Sequence, residues 1–453
     1  MLFSSLTFLL YFMPLVILIH YILPKKLQNG FLLLASLVFY SWGEATKVPL
    51  FALLLFANWG IGRLMDLPKI QPYRRLILLA GLVLDLGALI YYKYIGFLME
   101  NLGLDAAFAK DITLPLGISF FTFQAVGYLV DVYRRQTPPE KSFINFGAFL
   151  FMFPQLIAGP IIRYSDMSTA LHQKRRPSAK MLESGMALMV AGLAAKVLIA
   201  NPLGEAFATL RTIHSDALCA WMSLAASVMQ IYFDFMGYSV MAVGLGRMMG
   251  FEFTRNFNHP FASKSITEFW RRWHITLSKW FRDYVYIPLG GSRRSLPRTL
   301  LNTFVVWALT GLWHGASWNF VLWGVSFFVL LIMEKYTEKL RASWPGWLSY
   351  IVTILLLSLN FPFFNCDDLS IYGQFISDMW CFNFTTESLF WLREYAGIIA
   401  LGVVFCIPKV VNGLKRLCRK YAWLRMACVL GALILCLASL VKSSYNPFLY
   451  FRF

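Results

Sequence analysis

Of the 453 residues 58% are hydrophobic, 17% aromatic and only 14% charged, too little charge to clothe a water-soluble body of this size. Disorder, coiled coil, collagen and small disulfide scaffolds are excluded by the same figures. The balance of 41 Lys and Arg against 23 Asp and Glu is +18, but the cations sit in short stretches between apolar runs, and no contiguous polar domain presents them to nucleic acid.

Runs of the roughly 20 apolar residues that a spanning helix needs recur along the whole chain. They are predicted near residues 3 to 23, 31 to 43, 49 to 65, 75 to 95, 114 to 133, 182 to 200, 217 to 250, 299 to 314, 317 to 334, 347 to 364, 396 to 412 and 424 to 442. The first has neither a basic leading stretch nor a small-residue cleavage site, and reads as a retained span. No linker of soluble-domain length separates the runs. The expectation is therefore an all-α polytopic membrane protein, one domain over 1–453, with about 11–12 transmembrane helices and re-entrant segments around a central cavity.

Alternating sides from an outside N-terminus puts Lys25 and Lys26, Arg63 to Arg75 and Lys409 to Arg425 in the cytoplasm. The acidic stretch 365 to 395, with Asp367, Asp368, Asp378, Glu387 and Glu394, then falls outside, and both assignments follow the positive-inside rule. Residues 143 to 161 break the scheme: Pro154, Gly159 and Pro160 interrupt them and both flanks are basic, so the segment is read as re-entrant. The run 217 to 250 is too long for one ordinary span, and Gly237 predicts a kink or a half-helix. Non-regular backbone at membrane depth implies a cavity, and a cavity implies transport or intramembrane chemistry. Of the seven cysteines, Cys406, Cys428 and Cys436 are packing residues in apolar runs, while Cys366 and Cys381 could pair only if their acidic segment faces an oxidising compartment.

Residues 265 to 286 open with a capping signature, Ser265 followed three residues on by Glu268. They carry one apolar stripe, Trp273, Leu277, Trp280 and Tyr284, beside Arg271, Arg272, Lys279 and Arg282, which predicts an amphipathic helix on the cytoplasmic face. His274 falls on its aromatic side, and a row of cations beside a pocket suits a phosphate-bearing donor. Downstream, Gly311-Leu-Trp-His-Gly-Ala-Ser-Trp-Asn319 places His314 at membrane depth, between glycines that admit close approach. His20, His172, His214 and His259 sit at span ends or in loops. Asp85, Gln124, Asp131, Gln155, Gln230, Asp234 and Asn360 are further polar groups in apolar runs, each most simply an interhelical hydrogen-bonding residue. There is no metal-spaced His/Cys cluster, phosphate-binding glycine loop or nucleophile elbow, so no metal site is expected and ATP-driven transport and serine acyl-enzyme chemistry have no support.

The stretches Trp270-Arg-Arg-Trp-His-Ile-Thr-Leu-Ser-Lys-Trp-Phe-Arg-Asp-Tyr284 and Trp313-His-Gly-Ala316 resemble the membrane-bound O-acyltransferases. Residues 114 to 124, 131 to 134, 153 to 164 and 232 to 235, with the C-terminal Phe-Leu-Tyr-Phe-Arg-Phe, look like that family's alginate O-acetyltransferase branch. Residues 233 to 240 depart from the branch, with Met236 and Val240 where polar residues are associated with it.

The resemblance implies an acyltransferase core over roughly 110 to 335 in a bacterial inner-membrane enzyme. The donor would be acetyl-coenzyme A or another acyl thioester, with no bound cofactor. The acceptor outside would be a polysaccharide or an acetyl-acceptor protein, served by a separate periplasmic or extracellular acetyltransferase. It casts His314 as the essential histidine and His274 as a second polar site. A base is needed because a sugar hydroxyl must lose its proton as it attacks, and an imidazole is the side chain best matched to that task. Trp313, Trp318 and Asn319 are the candidate donors for a developing oxyanion, Asp234 and Gln155 candidates to line the cavity, and Arg271, Arg272, Lys279 and Arg282 candidates to bind the acyl donor. A sister branch transferring D-alanine to teichoic acids, and a non-enzymatic polysaccharide transporter, are the alternatives.

Overall fold

The computed structural model describes residues 1–173, 175, 177–364, 369–383, 385–442 and 448. Every regular element among them is helical. Eight helical stretches are long and apolar enough to cross a membrane, and two shorter apolar helices, Phe8–Ile22 and Ile118–Tyr133, add to them. The longest stretch, Lys25–Leu64, is itself two helices, Lys25–Glu44 and Val48–Leu64, joined by a single 3-10 turn. The chain is an all-α polytopic membrane protein, and it divides into two compact units.

The first unit comprises Met1–Met189 and Ser239–Arg255. Its central helix, Ile118–Tyr133, is buried nearly all round, as a core helix apolar on every face should be. The helix starts later than the run at 114 predicts, because Gly117 turns the chain at φ +80° and lies so close to the Leu156 carbonyl that a β-carbon would stand 2.5 Å from it. The segment expected to be re-entrant is two short buried helices: Phe143–Leu150, N-capped by Ser142, and Phe153–Leu156, which Pro154 opens. The polar groups of these spans pair with one another: Asn58 donates to Asp85 at 2.7 Å, and the Gln155 amide donates to Gln124 at 3.3 Å and to the Phe149 carbonyl.

The second unit comprises Val190–Tyr238 and Asn256–Phe453. The helix Ala217–Met248 runs through Gly237 as one segment, so of the two expected forms the span plus half-helix is not the one that occurs. That glycine serves a close crossing instead, because a β-carbon there would come 2.7 Å from the Gly192 carbonyl. The span predicted at 396 to 412 is the helix Thr386–Cys406, opened ten residues earlier by a Thr385/Ser388 capping box and closed before Pro408. Pro408–Lys420 is a separate helix with its cations on one side and Val410, Leu414 and Leu417 on the other. Only 6% of the apolar window is buried in Thr386–Cys406, and as little in Ala422–Lys442, so their side chains meet lipid rather than a core. Cys366, Asp367, Asp368 and most of the C-terminal hexapeptide lie outside the described residues; Cys381 has no disulfide partner among the described residues.

Candidate active site

The amphipathic segment 265 to 286 is not one helix. Ser265 caps it as expected, its hydroxyl accepting the Glu268 N–H at 3.0 Å, but the helix Ile266–Arg272 stops after seven residues and a second, Ile275–Phe281, begins beyond His274. The cause is Asn256. Its backbone carbonyl accepts the Ile275 N–H at 3.0 Å, and its side-chain oxygen accepts the Thr276 N–H at 3.2 Å and hydroxyl at 2.7 Å, taking donors that a continuous helix would use. His274, at the break, adopts φ +42° and ψ +54°, a left-handed conformation that costs a non-glycine residue of the order of 1–3 kcal/mol. Nothing of His274 is exposed. It lies outside the candidate spans, and burial pushes its imidazole down to about 3, so the ring is neutral at physiological pH.

His314 is the last residue of the helix Leu296–His314. Gly315 ends that helix and has no room for a side chain, since a β-carbon would fall 2.1 Å from the Phe320 ring. The next helix, Trp318–Tyr336, returns against the first at Gly311 and Gly324; a β-carbon on Gly311 would meet the Phe320 carbonyl at 2.4 Å, and one on Gly324 the Trp307 carbonyl at 2.3 Å. This close return sets His314 in an aromatic box, with ring centroids of Trp313, Trp323 and Phe364 at 4.7, 4.9 and 4.9 Å. Trp313 also reaches His274, 5.9 Å away, so one indole is flanked by both histidines. Phe235 closes on His274 from its other side at 4.7 Å.

The membrane-bound O-acyltransferase family model matches residues 132–351, a range containing both histidines. The chain is 35% identical, over its full length and that of the relative, to a protein of Pseudomonas putida named probable alginate O-acetylase AlgI. It is 39% identical to the protein of the same name from Pseudomonas aeruginosa, over 84% of this chain and 75% of that one. It is also 32% identical to a peptidoglycan O-acetyltransferase of Helicobacter pylori, over 82% and 78%. The chain belongs to the membrane-bound O-acyltransferase family. It is a multi-pass membrane O-acyltransferase.

Around the two histidines of this acyltransferase the remaining sequence candidates fall differently. Trp318 opens its helix 56% exposed, whereas Asn319 is buried and holds its surroundings in place: its amide donates to the Phe363 carbonyl at 3.1 Å and its oxygen accepts from Ser317. Asp234 forms a buried ion pair with Lys196 at 2.6 Å. Gln155 belongs to the first unit, bonded as described above. Of the four cations, Arg272 pairs with Glu268 at 2.6 Å and Arg282 with Asp283 at 2.8 Å, while Arg271 and Lys279 are exposed without a carboxylate partner among the described residues. No group of three or more metal-ligating side chains occurs among the described residues.

Several contributors went unread in the sequence, among them Trp323 and Phe364 of the box, Lys196 and Asn256. Lys196 gave a signal, a single charge in the apolar run Ala-Ala-Lys-Val-Leu-Ile-Ala. Asn256 gave none, because an asparagine in a polar loop is ordinary.

Proposed function

We propose that the enzyme transfers an acetyl group from a cytoplasmic acyl thioester, acetyl-coenzyme A or another, to a hydroxyl of a secreted or cell-envelope polysaccharide, with the bacterial inner membrane as its place. The observation that carries the reading is the pair of buried histidines sharing Trp313, at 5.9 and 4.7 Å. His314 acts as the base. The acceptor oxygen bonds to the thioester carbonyl carbon while His314 takes the hydroxyl proton; the C–S bond then breaks, and the proton passes to the departing sulfur. The products are an acetyl ester and a free thiol. Such a base contributes about 10² to 10⁴-fold.

The relatives named for alginate and for peptidoglycan O-acetylation support a glycan acceptor. Arg271 and Lys279, without a carboxylate partner among the described residues, hold the donor's phosphates, with Arg272 and Arg282 held by carboxylates beside them. A separate extracytoplasmic acetyltransferase is the partner that receives or places the group. In the test, His314→Ala is reconstituted in vesicles loaded with acetyl thioester. It is expected to insert like the parent while thioester-dependent ester formation falls about 10²-fold or more. Unaltered ester formation would remove His314 from the reaction.

A further inference from the structure

The helix Ile266–Arg272 leads directly into His274, and the N–H groups of its first three residues have no partner inside the helix. Ser265 takes one of them, the Glu268 N–H at 3.0 Å. The other two go to a carboxylate 68 residues further along the chain: Oε2 of Glu334 accepts the Ile266 N–H, and Oε1 accepts the Thr267 N–H at 3.2 Å. Backbone bonding takes over at Phe269, whose N–H donates to the Ser265 carbonyl at 3.0 Å, so every donor of the turn is placed. Ile266 is buried, which denies its N–H to water and makes an internal acceptor necessary.

Glu334 lies on the helix Trp318–Tyr336, seven positions after Phe327 and eleven after Trp323, and these spacings put all three on one stripe. The stripe serves both histidines. Trp323 is the wall of the box 4.9 Å from His314 and also stands 5.8 Å from Trp270; Phe327 lies 4.9 Å from Trp270; Glu334 holds the turn in which Trp270's helix begins. The carboxylate is anchored in turn, since Nη1 of Arg341 stands 3.2 Å from Oε2 and the Glu334 side chain is only 9% exposed. At the far end Asn256 accepts from Ile275 and Thr276, so the stretch from Ile266 to Thr276 is tied at both ends, with the left-handed His274 beside the second tie.

We propose that Glu334 is a positioning residue for acyl transfer: by fixing where the helix Ile266–Arg272 starts, it sets where His274 meets Trp313, the indole that also flanks His314. The strain at His274 is relieved if the helix runs on through it, and the two ties oppose that relaxation. Ser265 remains as a cap when Glu334 is removed, so the helix survives. What it loses is its place. A helix of seven residues is too short to be stable by its own hydrogen bonds, and without the carboxylate it is free to turn about Trp270. A displacement of about 1 Å at reacting groups costs up to about 10²-fold in rate. The proposal rests on the reading in which the two histidines form the acyl-transfer site.

The test compares Glu334→Ala and Glu334→Gln with the parent, each purified at full length and reconstituted in vesicles, by two readouts. The first is thiol release from acetyl-coenzyme A per mole of folded protein. Glu334→Ala is expected to lower kcat about tenfold or more while KM for the thioester stays within about twofold. Glu334→Gln, whose amide oxygen still accepts one of the two N–H groups, should recover part of the loss. The second readout is solid-state NMR of protein labelled at its six histidines, with the His274 signal assigned by its loss in His274→Gln. That signal should move in Glu334→Ala while the signal of His20, in the first unit, stays in place. If Glu334→Ala does not accumulate, Glu334→Gln and Arg341→Gln, which loosens the carboxylate, must show the same pair of changes. Parental kcat in the folded variants, or a fall in kcat with the His274 signal unmoved, would overturn the proposal and leave Glu334 a helix cap alone. No thiol release by the parent would instead sink the acyl-thioester reading, and the His274 signal would still decide for or against Glu334.

Discussion

A lysine ammonium 2.6 Å from an aspartate carboxylate, both almost wholly sealed from solvent, makes Lys196 and Asp234 a pair that neither member can leave. Taking one partner away strands the other charge at a cost of about 3–5 kcal/mol, whereas replacing both by apolar groups of similar volume is often neutral. Lys196→Met is therefore expected to cut the yield of folded protein in the membrane sharply, and the double variant Lys196→Met/Asp234→Leu to restore it. Yield by in-gel fluorescence of a tagged chain decides; equal yields from all three would mean that the pair carries no structural weight. Asp234 was legible in the sequence as a polar group in an apolar run; Lys196 gave the same signal but is easily passed over, because lysines in membrane proteins are so often explained by charge bias. His274 shows the same limit from another side. Its aromatic setting was readable from helical spacing, but its left-handed backbone was not, because the acceptor that creates it, Asn256, lies about twenty residues upstream.

The hairpin of Leu296–His314 and Trp318–Tyr336 carries the box around His314, and its geometry is set where the two backbones touch. Gly311 and Gly324 leave space for nothing larger than hydrogen at that point. A branched side chain at Gly324 must displace the Trp307 carbonyl, 2.3 Å from where its β-carbon would sit, and so push the helices apart. Gly324→Val is expected to insert but to lose most acyl transfer, because Trp323, adjacent in sequence, forms one wall of the box at 4.9 Å from His314. Transfer at the parental level in a membrane-inserted Gly324→Val would show that the box tolerates a looser hairpin. Gly311 and Gly315 were readable as points of close approach, whereas Gly324 sat unremarked in an apolar run, since what it touches is named only by the fold. The cap at Ser265, a local signal, followed the sequence closely, whereas the helix closed before Pro408 was predicted to run through that proline to 412. Elements whose limits depend on distant partners did not follow it. The single helix through Gly237, the broken one at His274 and the late start at Gly117 are cases of this.

Basic residues are gathered at two places in the second unit, before and within the first turn of Leu296–His314 and along Pro408–Lys420. Arg293 and Arg294 precede the helix Leu296–His314 and Arg298 lies in its first turn, so a helix of about 29 Å leads from these cations to His314. The helix Pro408–Lys420 carries Lys409, Lys415, Arg416, Arg419 and Lys420 and no acidic residue. A donor carrying phosphates is attracted to such cations and faces a prohibitive cost if its charges are to cross lipid, whereas an acetyl group is small and neutral. Donor and acceptor are thus expected to reach His314 from opposite sides of the membrane. Ala316, half-buried two residues beyond His314, reports which side is open. In a background where the seven cysteines are replaced, Ala316→Cys should react with an impermeant thiol reagent applied from the extracytoplasmic side, and a non-hydrolysable acyl-thioester analogue supplied from the cytoplasmic side should leave that labelling in place. Labelling from the cytoplasmic side alone would mean that both substrates share one entrance, and transfer across the membrane would have to give way to a reaction confined to the inner face.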